Sequence, residues 1–277
     1  MPTFVHQGIN FHYEQSGEGE TLVFCHGLTS DASVVKALLG VVPGYRLLVW
    51  DCRGHGRTFP IGPTSELRFA TLASDLQALV AHLGIRRAIV GGVSMGAAIA
   101  TRFAIERPEL VKGLVLVRPA WLTESSPESL RLFEMVGAFL DEFGTAEGRR
   151  RFAELSLYKI VSEIDPGFTL LLMDLFDRPQ MYERREVLRQ IPKSCPVRDW
   201  REVAPLMMPS LVIGNEPDYV HPLSYAREWA RRLPKGQFVQ VCAKSEDEVR
   251  YGREVQCALS SFLQVCQNPS QNECRSA

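Results

Sequence analysis

The feature that most constrains this chain is a glycine-flanked serine between a predicted strand and a predicted helix. Gly92-Val93-Ser94-Met95-Gly96 follows the apolar run 88–93, typical of a buried strand, and overlaps the small, apolar stretch 96–106, typical of a buried helix. Glycines on either side of the serine leave room for a strand to turn sharply into a helix, and such a turn projects the hydroxyl out of a sheet. The N–H groups that begin the helix can stabilise a developing oxyanion. We therefore predict that Ser94 is a catalytic nucleophile.

Strand-like and helix-like segments alternate along the chain, which predicts an α/β fold, a mostly parallel sheet flanked by helices. The short apolar runs predicted as core strands are residues 21–26, 46–51, 88–93, 113–118, 210–214 and 237–242. Residues 69–83 carry apolar side chains at helical spacing, and residues 251–263 form a closing amphipathic helix. Ligands bind at the carboxyl ends of the strands in such sheets, so residues that follow the strands are candidates for a site.

Strand signals disappear in the middle of the chain, which predicts an insertion. Residues 119–201 show helical patterns only, with a break expected at Gly144. We therefore expect an α/β core made of residues 1–118 and 202–265, with 119–201 as an inserted helical cap. The polar segment 266–277 is predicted to be a flexible tail.

Composition and charge limit the classes of binding partner that we expect for this protein. Lys and Arg number 31 against 32 Asp and Glu, a formal net charge of -1, which gives no reason to expect nucleic acid or a membrane surface as partner. The first residues lack the basic and apolar regions of a signal peptide, and 7 scattered cysteines are typical of reduced thiols, so we expect a cytoplasmic location. Neither metal-ligand spacing nor a phosphate-binding glycine loop occurs, so no metal and no cofactor is expected. The expected partner is a small molecule, and the oligomeric state stays open.

Two further motifs extend the pattern around Ser94. His26-Gly27-Leu28 follows the first core strand, and Asp51-Cys52-Arg53-Gly54-His55-Gly56 follows the next. With these motifs the chain resembles the α/β-hydrolase superfamily over about residues 3–265. The resemblance implies that the backbone amides of Leu28 and Met95 form an oxyanion hole under a helical cap. It also implies that Asp218, after the strand that follows the cap, is the triad acid.

The sequence departs from the family pattern at the histidine. The resemblance places the catalytic base after the last strand, near Ser245, and the sequence has no histidine after position 221. Without a base a serine hydroxyl is a poor nucleophile. His221 could serve if its loop folded back towards Ser94, although a structural role at the start of a helix is favoured. Lys244 with a lowered pKa, or no base at all, are the alternatives.

Other residues near the predicted pocket have candidate binding roles. His26 could line the pocket beside the oxyanion turn. Arg118 ends a core strand on the same edge as Ser94, where a buried arginine needs an anion, either a ligand or a carboxylate such as Glu124 or Asp218. A pair with Asp218 would divert that acid from the triad. Trp121 is expected to form a pocket wall where the cap begins.

Three functions fit these residues. The first is a serine hydrolase acting on a small ester, lactone or thioester with a non-standard base. The second is a catalytically silent relative that binds a small molecule, which Arg118 suggests is anionic. The third is a cofactor-free lyase or isomerase that uses the same pocket, because this fold supports many chemistries.

Overall fold

A computed structural model describes residues 2–267 and contains one eight-stranded sheet. The strands are β1 (Thr3–His6), β2 (Ile9–Ser16), β3 (Glu20–Cys25), β4 (Tyr45–Trp50), β5 (Ala88–Val93), β6 (Val111–Val117), β7 (Ser210–Gly214) and β8 (Gly236–Gln240). Their order in the sheet is β1-β2-β4-β3-β5-β6-β7-β8. The pairs β1–β2 and β2–β4 are antiparallel, and the remaining pairs are parallel. This confirms the predicted fold class, and each predicted core strand lies within two residues of an observed one.

Helices cover both faces of the sheet. They are α1 (Ala32–Leu39), α2 (Phe69–His82), α3 (Met95–Glu106), α4 (Arg131–Phe152), α5 (Ser156–Ile164), α6 (Pro166–Asp177), α7 (Met181–Gln190), α8 (Leu223–Arg232) and α9 (Glu248–Gln267). In β3, Val23 and Cys25 join a core with α2, α3 and α8, whereas Leu22 and Phe24 join a second core with α1 and α9. Because both faces are buried, the central strands are apolar at every position instead of at alternate ones.

Four of the helices, α4 to α7, lie between β6 and β7, in the segment for which the sequence predicts a cap. We refer to them as the cap helices. Gly144 has a φ of 72° and interrupts α4 near the position where the sequence predicts an end. The sequence did not predict α7, because this helix is strongly polar and buries only Met181, Val187 and Leu188.

The predicted tail, 266–277, lies outside the described residues except for its first two positions. Cys266 and Gln267 belong to α9, so the closing helix is longer than its apolar pattern indicates. Between residues 2 and 267, none of the helices is long and apolar enough to cross a membrane.

Candidate active site

Ser94 occupies the tight turn between β5 and α3. Its φ of 55° and ψ of -111° lie outside the regions that residues with a side chain normally adopt, which is the strain expected of a functional turn. A Cβ at Gly92 would collide with the backbone of Gly96, and a Cβ at Gly96 would collide with the carbonyl group of Cys25. The two glycines therefore allow strand and helix to approach closely enough to hold Ser94 in this conformation.

The turn after β3 lies directly beside Ser94. A Cβ at Gly27 would be 3.7 Å from the Cβ of Ser94. Met95 begins α3, and the first N–H groups of a helix have no carbonyl acceptor within that helix. The Leu28 carbonyl lies 2.6 Å from His55 Nε2, which fixes the turn. The positions of Leu28 and Met95 suit the predicted oxyanion hole, and their role in it remains a prediction.

His221 approaches Ser94 from the loop after β7. Its Nε2 lies 2.9 Å from Ser94 Oγ, and its Nδ1 lies 3.0 and 3.1 Å from the two carboxylate oxygens of Asp218. The His221 backbone N–H also donates to Asp218 Oδ1 at 3.0 Å, which turns the chain back on itself within four residues. Because a carboxylate can only accept, Nδ1 carries the proton and Nε2 accepts from the serine hydroxyl.

This geometry is at odds with the interpretation favoured from the sequence, in which His221 only precedes a helix. The residue does precede Pro222 and α8, and its ring also contacts Ser94. Lys244 instead forms an ion pair with Glu248 at 3.0 Å, and Ser245 is exposed in the loop after β8. Neither of these two residues is described in contact with Ser94.

The electrostatic surroundings keep the acid charged and the histidine neutral. Burial by itself raises the pKa of the Asp218 carboxyl, but His221 and Arg118 outweigh burial and hold that pKa well below its ordinary value. Burial lowers the pKa of His221 below its ordinary value, against the opposing effect of the Asp218 charge, and Arg118 lowers it further. A neutral imidazole next to a carboxylate is the state required of a general base.

Arg118 has one of the two kinds of partner expected for it, a carboxylate, and Trp121 is buried. The Arg118 guanidinium is paired with Asp218 through Nε at 2.7 Å and Nη2 at 2.6 Å. The expectation that this pair would divert Asp218 from His221 is wrong, because the carboxylate accepts from both. Trp121 is 1% exposed; its Nε1 donates to the Pro192 carbonyl and its ring packs edge-on against Phe69. It joins the cap segment to the core and is no pocket wall.

His26 is also a structural residue and not a substrate contact. The Cys52 N–H donates to its Nε2 at 3.0 Å, so Nδ1 carries the proton and donates to the Gly27 carbonyl at 2.8 Å. Both ring nitrogens are occupied and the residue is fully buried. His26 thereby joins the turn after β3 to the loop after β4.

The cap helices contact the site through residues that carry no recognisable motif in the sequence. Asp165, the N-cap of α6, accepts from the Tyr219 N–H at 3.3 Å, within the loop that carries Asp218 and His221. Phe168 stacks on the Tyr219 ring at 5.8 Å. In the sequence, Asp165 is typical of a helix N-cap and Phe168 is typical of a core aromatic residue. Only the tertiary structure places these two residues against the loop.

A cavity of 420 Å³ lies between the turn after β3, the loop after β4 and the start of α7. Residues 28–33 and 54–57 form its core side, and residues 178–181 form part of its cap side. Arg178 donates to the Thr29 carbonyl at 2.5 Å, and Arg184 donates to the Gly56 carbonyl at 2.8 Å. The cavity shares the turn at Leu28 with the site, while Ser94 itself is 8% exposed and does not line it.

Within residues 2–267 no cluster of three potential metal ligands is found.

Comparison with known proteins agrees with the observed fold. The sequence profile of the alpha/beta hydrolase fold matches residues 20–248. A protein of Mycobacterium tuberculosis, provisionally named non-heme bromoperoxidase BpoC, is 30% identical over 84% of this chain and 89% of its own length. The 2-hydroxy-6-oxononadienedioate/2-hydroxy-6-oxononatrienedioate hydrolase of Paraburkholderia phymatum is 29% identical over 83% of this chain and 82% of its own. The enol-lactonase structure from Burkholderia xenovorans superposes with a TM-score of 0.73 at 20% identity, covering 95% of this chain and 100% of that one.

The turn at Ser94 gives a stability prediction. We expect Gly96→Ala to lower the free energy of unfolding by about 1–3 kcal/mol or more, because the added methyl group collides with a backbone that cannot move aside. Gly252→Ala is the control, since a Cβ at that helical position meets no atom within 4 Å. It should be neutral or stabilising by up to about 1 kcal/mol. Urea unfolding measures both, and equal stability of the two variants would contradict the close packing described for the turn.

Proposed function

Because the chain belongs to the α/β-hydrolase family, we propose that it is a serine hydrolase that cleaves a small ester, lactone or thioester. Ser94 is the nucleophile, His221 the general base and Asp218 the acid that orients it. The observation that carries the proposal is the continuous chain of contacts from Ser94 Oγ to His221 Nε2 at 2.9 Å and from His221 Nδ1 to Asp218 at 3.0 Å. Nucleophile, base and orienting group at these distances are the arrangement that activates a serine hydroxyl.

The reaction proceeds in two halves. His221 Nε2 removes the hydroxyl proton while Ser94 Oγ attacks the substrate carbonyl carbon, and the amides of Leu28 and Met95 stabilise the oxyanion that forms. The intermediate collapses, His221 returns the proton to the departing alcohol or thiol, and an acyl group remains on Ser94. Water then attacks the acyl carbon with His221 again as base, and collapse releases the carboxylic acid and restores Ser94.

The non-standard feature is the position of the base. Acid and base both come from the loop after β7, three residues apart. The family resemblance instead places them on two loops, one after β7 and one after β8. The proposal that this chain is a silent binding protein rests on the lack of a base, and the contact between His221 and Ser94 favours turnover instead.

A small substrate fits the space available. Ser94 and His221 are 8% and 9% exposed, so the reacting group must reach two nearly buried side chains. We place the remainder of the substrate in the 420 Å³ cavity beside Leu28. The names of two similar proteins, a hydrolase of a dioic acid and an enol-lactonase, support a small carbonyl substrate of this kind.

Covalent labelling tests the assignment of nucleophile and base. A fluorophosphonate should attach to Ser94, as identified by peptide mass spectrometry, and Ser94→Ala should take up none. We expect His221→Ala to slow labelling by about 10³-fold or more, because the hydroxyl loses its base. The matched controls His82→Ala and Lys244→Ala should label within about twofold of the parent rate. The proposal fails if a folded parent protein takes up no label, or if His221→Ala labels as fast as the parent.

The pH dependence of hydrolysis tests the state of the base. His221 accepts a proton only when neutral, and burial lowers its pKa below the ordinary 6.5. With p-nitrophenyl acetate as the probe, kcat/KM should therefore stay constant as pH falls through 6.5 and decline only at a lower pH. A decline that begins well above 6.5 would contradict this account of the base.

A further inference from the structure

The acid of the proposed triad has a second charged partner that the proposed reaction does not use. Asp218 Oδ1 accepts from the backbone N–H of His221 at 3.0 Å and lies 3.0 Å from its Nδ1. Asp218 Oδ2 lies 3.1 Å from the same Nδ1, and it also accepts from Arg118 Nε at 2.7 Å and lies 2.6 Å from Arg118 Nη2. The side chain of Asp218 is 3% exposed and that of Arg118 is 17% exposed. Two donors of one rigid, planar guanidinium converge on Oδ2 and hold that oxygen in place.

The backbone of Arg118 is specialised for this contact. Its φ of 50° is unusual for a residue with a side chain, and its N–H donates to the Ile213 carbonyl at 2.7 Å, next to the strand that leads to Asp218. The guanidinium also lies 5.8 Å from the centre of the Tyr251 ring at the start of α9. The second partner of the acid is therefore an arginine that also contacts the beginning of α9.

We propose that Arg118 is a positioning residue, not a substrate anchor: it holds one oxygen of Asp218 so that the other keeps His221 against Ser94. This proposal rests on the proposed function. One loop of four residues carries both the acid and the base, so the carboxylate of Asp218 needs a contact from outside that loop to hold it in place. Arg118, at the end of β6, provides this contact.

The charge of Arg118 also acts on His221. Three charged groups surround the imidazole: Asp218 on its own loop, Arg118 at the end of β6 and Asp165 at the start of α6. The two carboxylates favour the protonated ring, whereas Arg118 and burial disfavour it. Removing the arginine charge, with both carboxylates in place, must therefore raise the pKa of His221.

Histidine titration by long-range ¹H–¹⁵N NMR tests this proposal in the full chain, with the His221 signal assigned by its absence from His221→Gln. We expect the pKa of His221 to rise by about one pH unit in Arg118→Gln. The matched control is Arg53→Gln, which breaks another buried arginine–carboxylate pair. Arg53 lies in the loop after β4, and its Nη2 is 2.8 Å from Asp75 Oδ1. That variant should leave the His221 titration unchanged. An unchanged His221 pKa in folded Arg118→Gln, or an equal rise in Arg53→Gln, overturns the proposal.

A second variant keeps the proposal testable if Arg118→Gln does not fold. Arg118→Lys retains the charge but loses the planar pair of donors. We expect the Nδ1–H proton signal of His221, which reports its hydrogen bond to Asp218, to broaden or disappear in that variant. A signal identical to that of the parent overturns the positioning role. Neither NMR measurement needs turnover, so a parent protein that takes up no fluorophosphonate overturns the proposed function and leaves this test intact.

Discussion

The carboxylate of Asp218 is the group on which the rest of the site depends. It is nearly inaccessible to solvent, and it accepts from the backbone and the ring of His221 on one side and from Arg118 on the other. A buried carboxylate is costly unless it is fully paired, and these donors satisfy it. The same contacts turn the imidazole towards Ser94. Loss of the Asp218 charge would leave the arginine unpaired and the histidine unoriented, so stability and chemistry are coupled at this residue.

The sheet brings these groups together from distant parts of the chain. Ser94, Arg118 and Asp218 follow the neighbouring parallel strands β5, β6 and β7, whose carboxyl ends share one edge. The turn containing Leu28 follows β3, on the other side of β5. Asp165 of the cap contacts the loop between the acid and the base, so the position of the cap and the position of the base are physically linked.

Local features were predictable from the sequence, and long-range ones were not. The turn at Ser94 was predictable because glycine spacing and the change from strand to helix lie within a few residues. The position of His221 was not, because its contact with Ser94 spans 127 residues of chain and depends on how one loop folds over Asp218. Trp121 was misassigned for a related reason: a tryptophan after a strand can line a pocket or fill a core, and only its tertiary neighbours distinguish the two. The resemblance places a base near Ser245 because it assumes that acid and base lie on two loops, whereas the histidine in contact with Ser94 Oγ lies on the same loop as Asp218.

A crystal structure of the phosphonylated protein tests the central claim most directly, because the phosphonyl group on Ser94 imitates the tetrahedral intermediate. The account predicts a phosphonyl oxygen about 3 Å from the amides of Leu28 and Met95, with His221 Nε2 next to the phosphonyl group and Nδ1 still on Asp218. An adduct in which His221 points away from Ser94, or in which a residue of the loop after β8 takes its place, would contradict it.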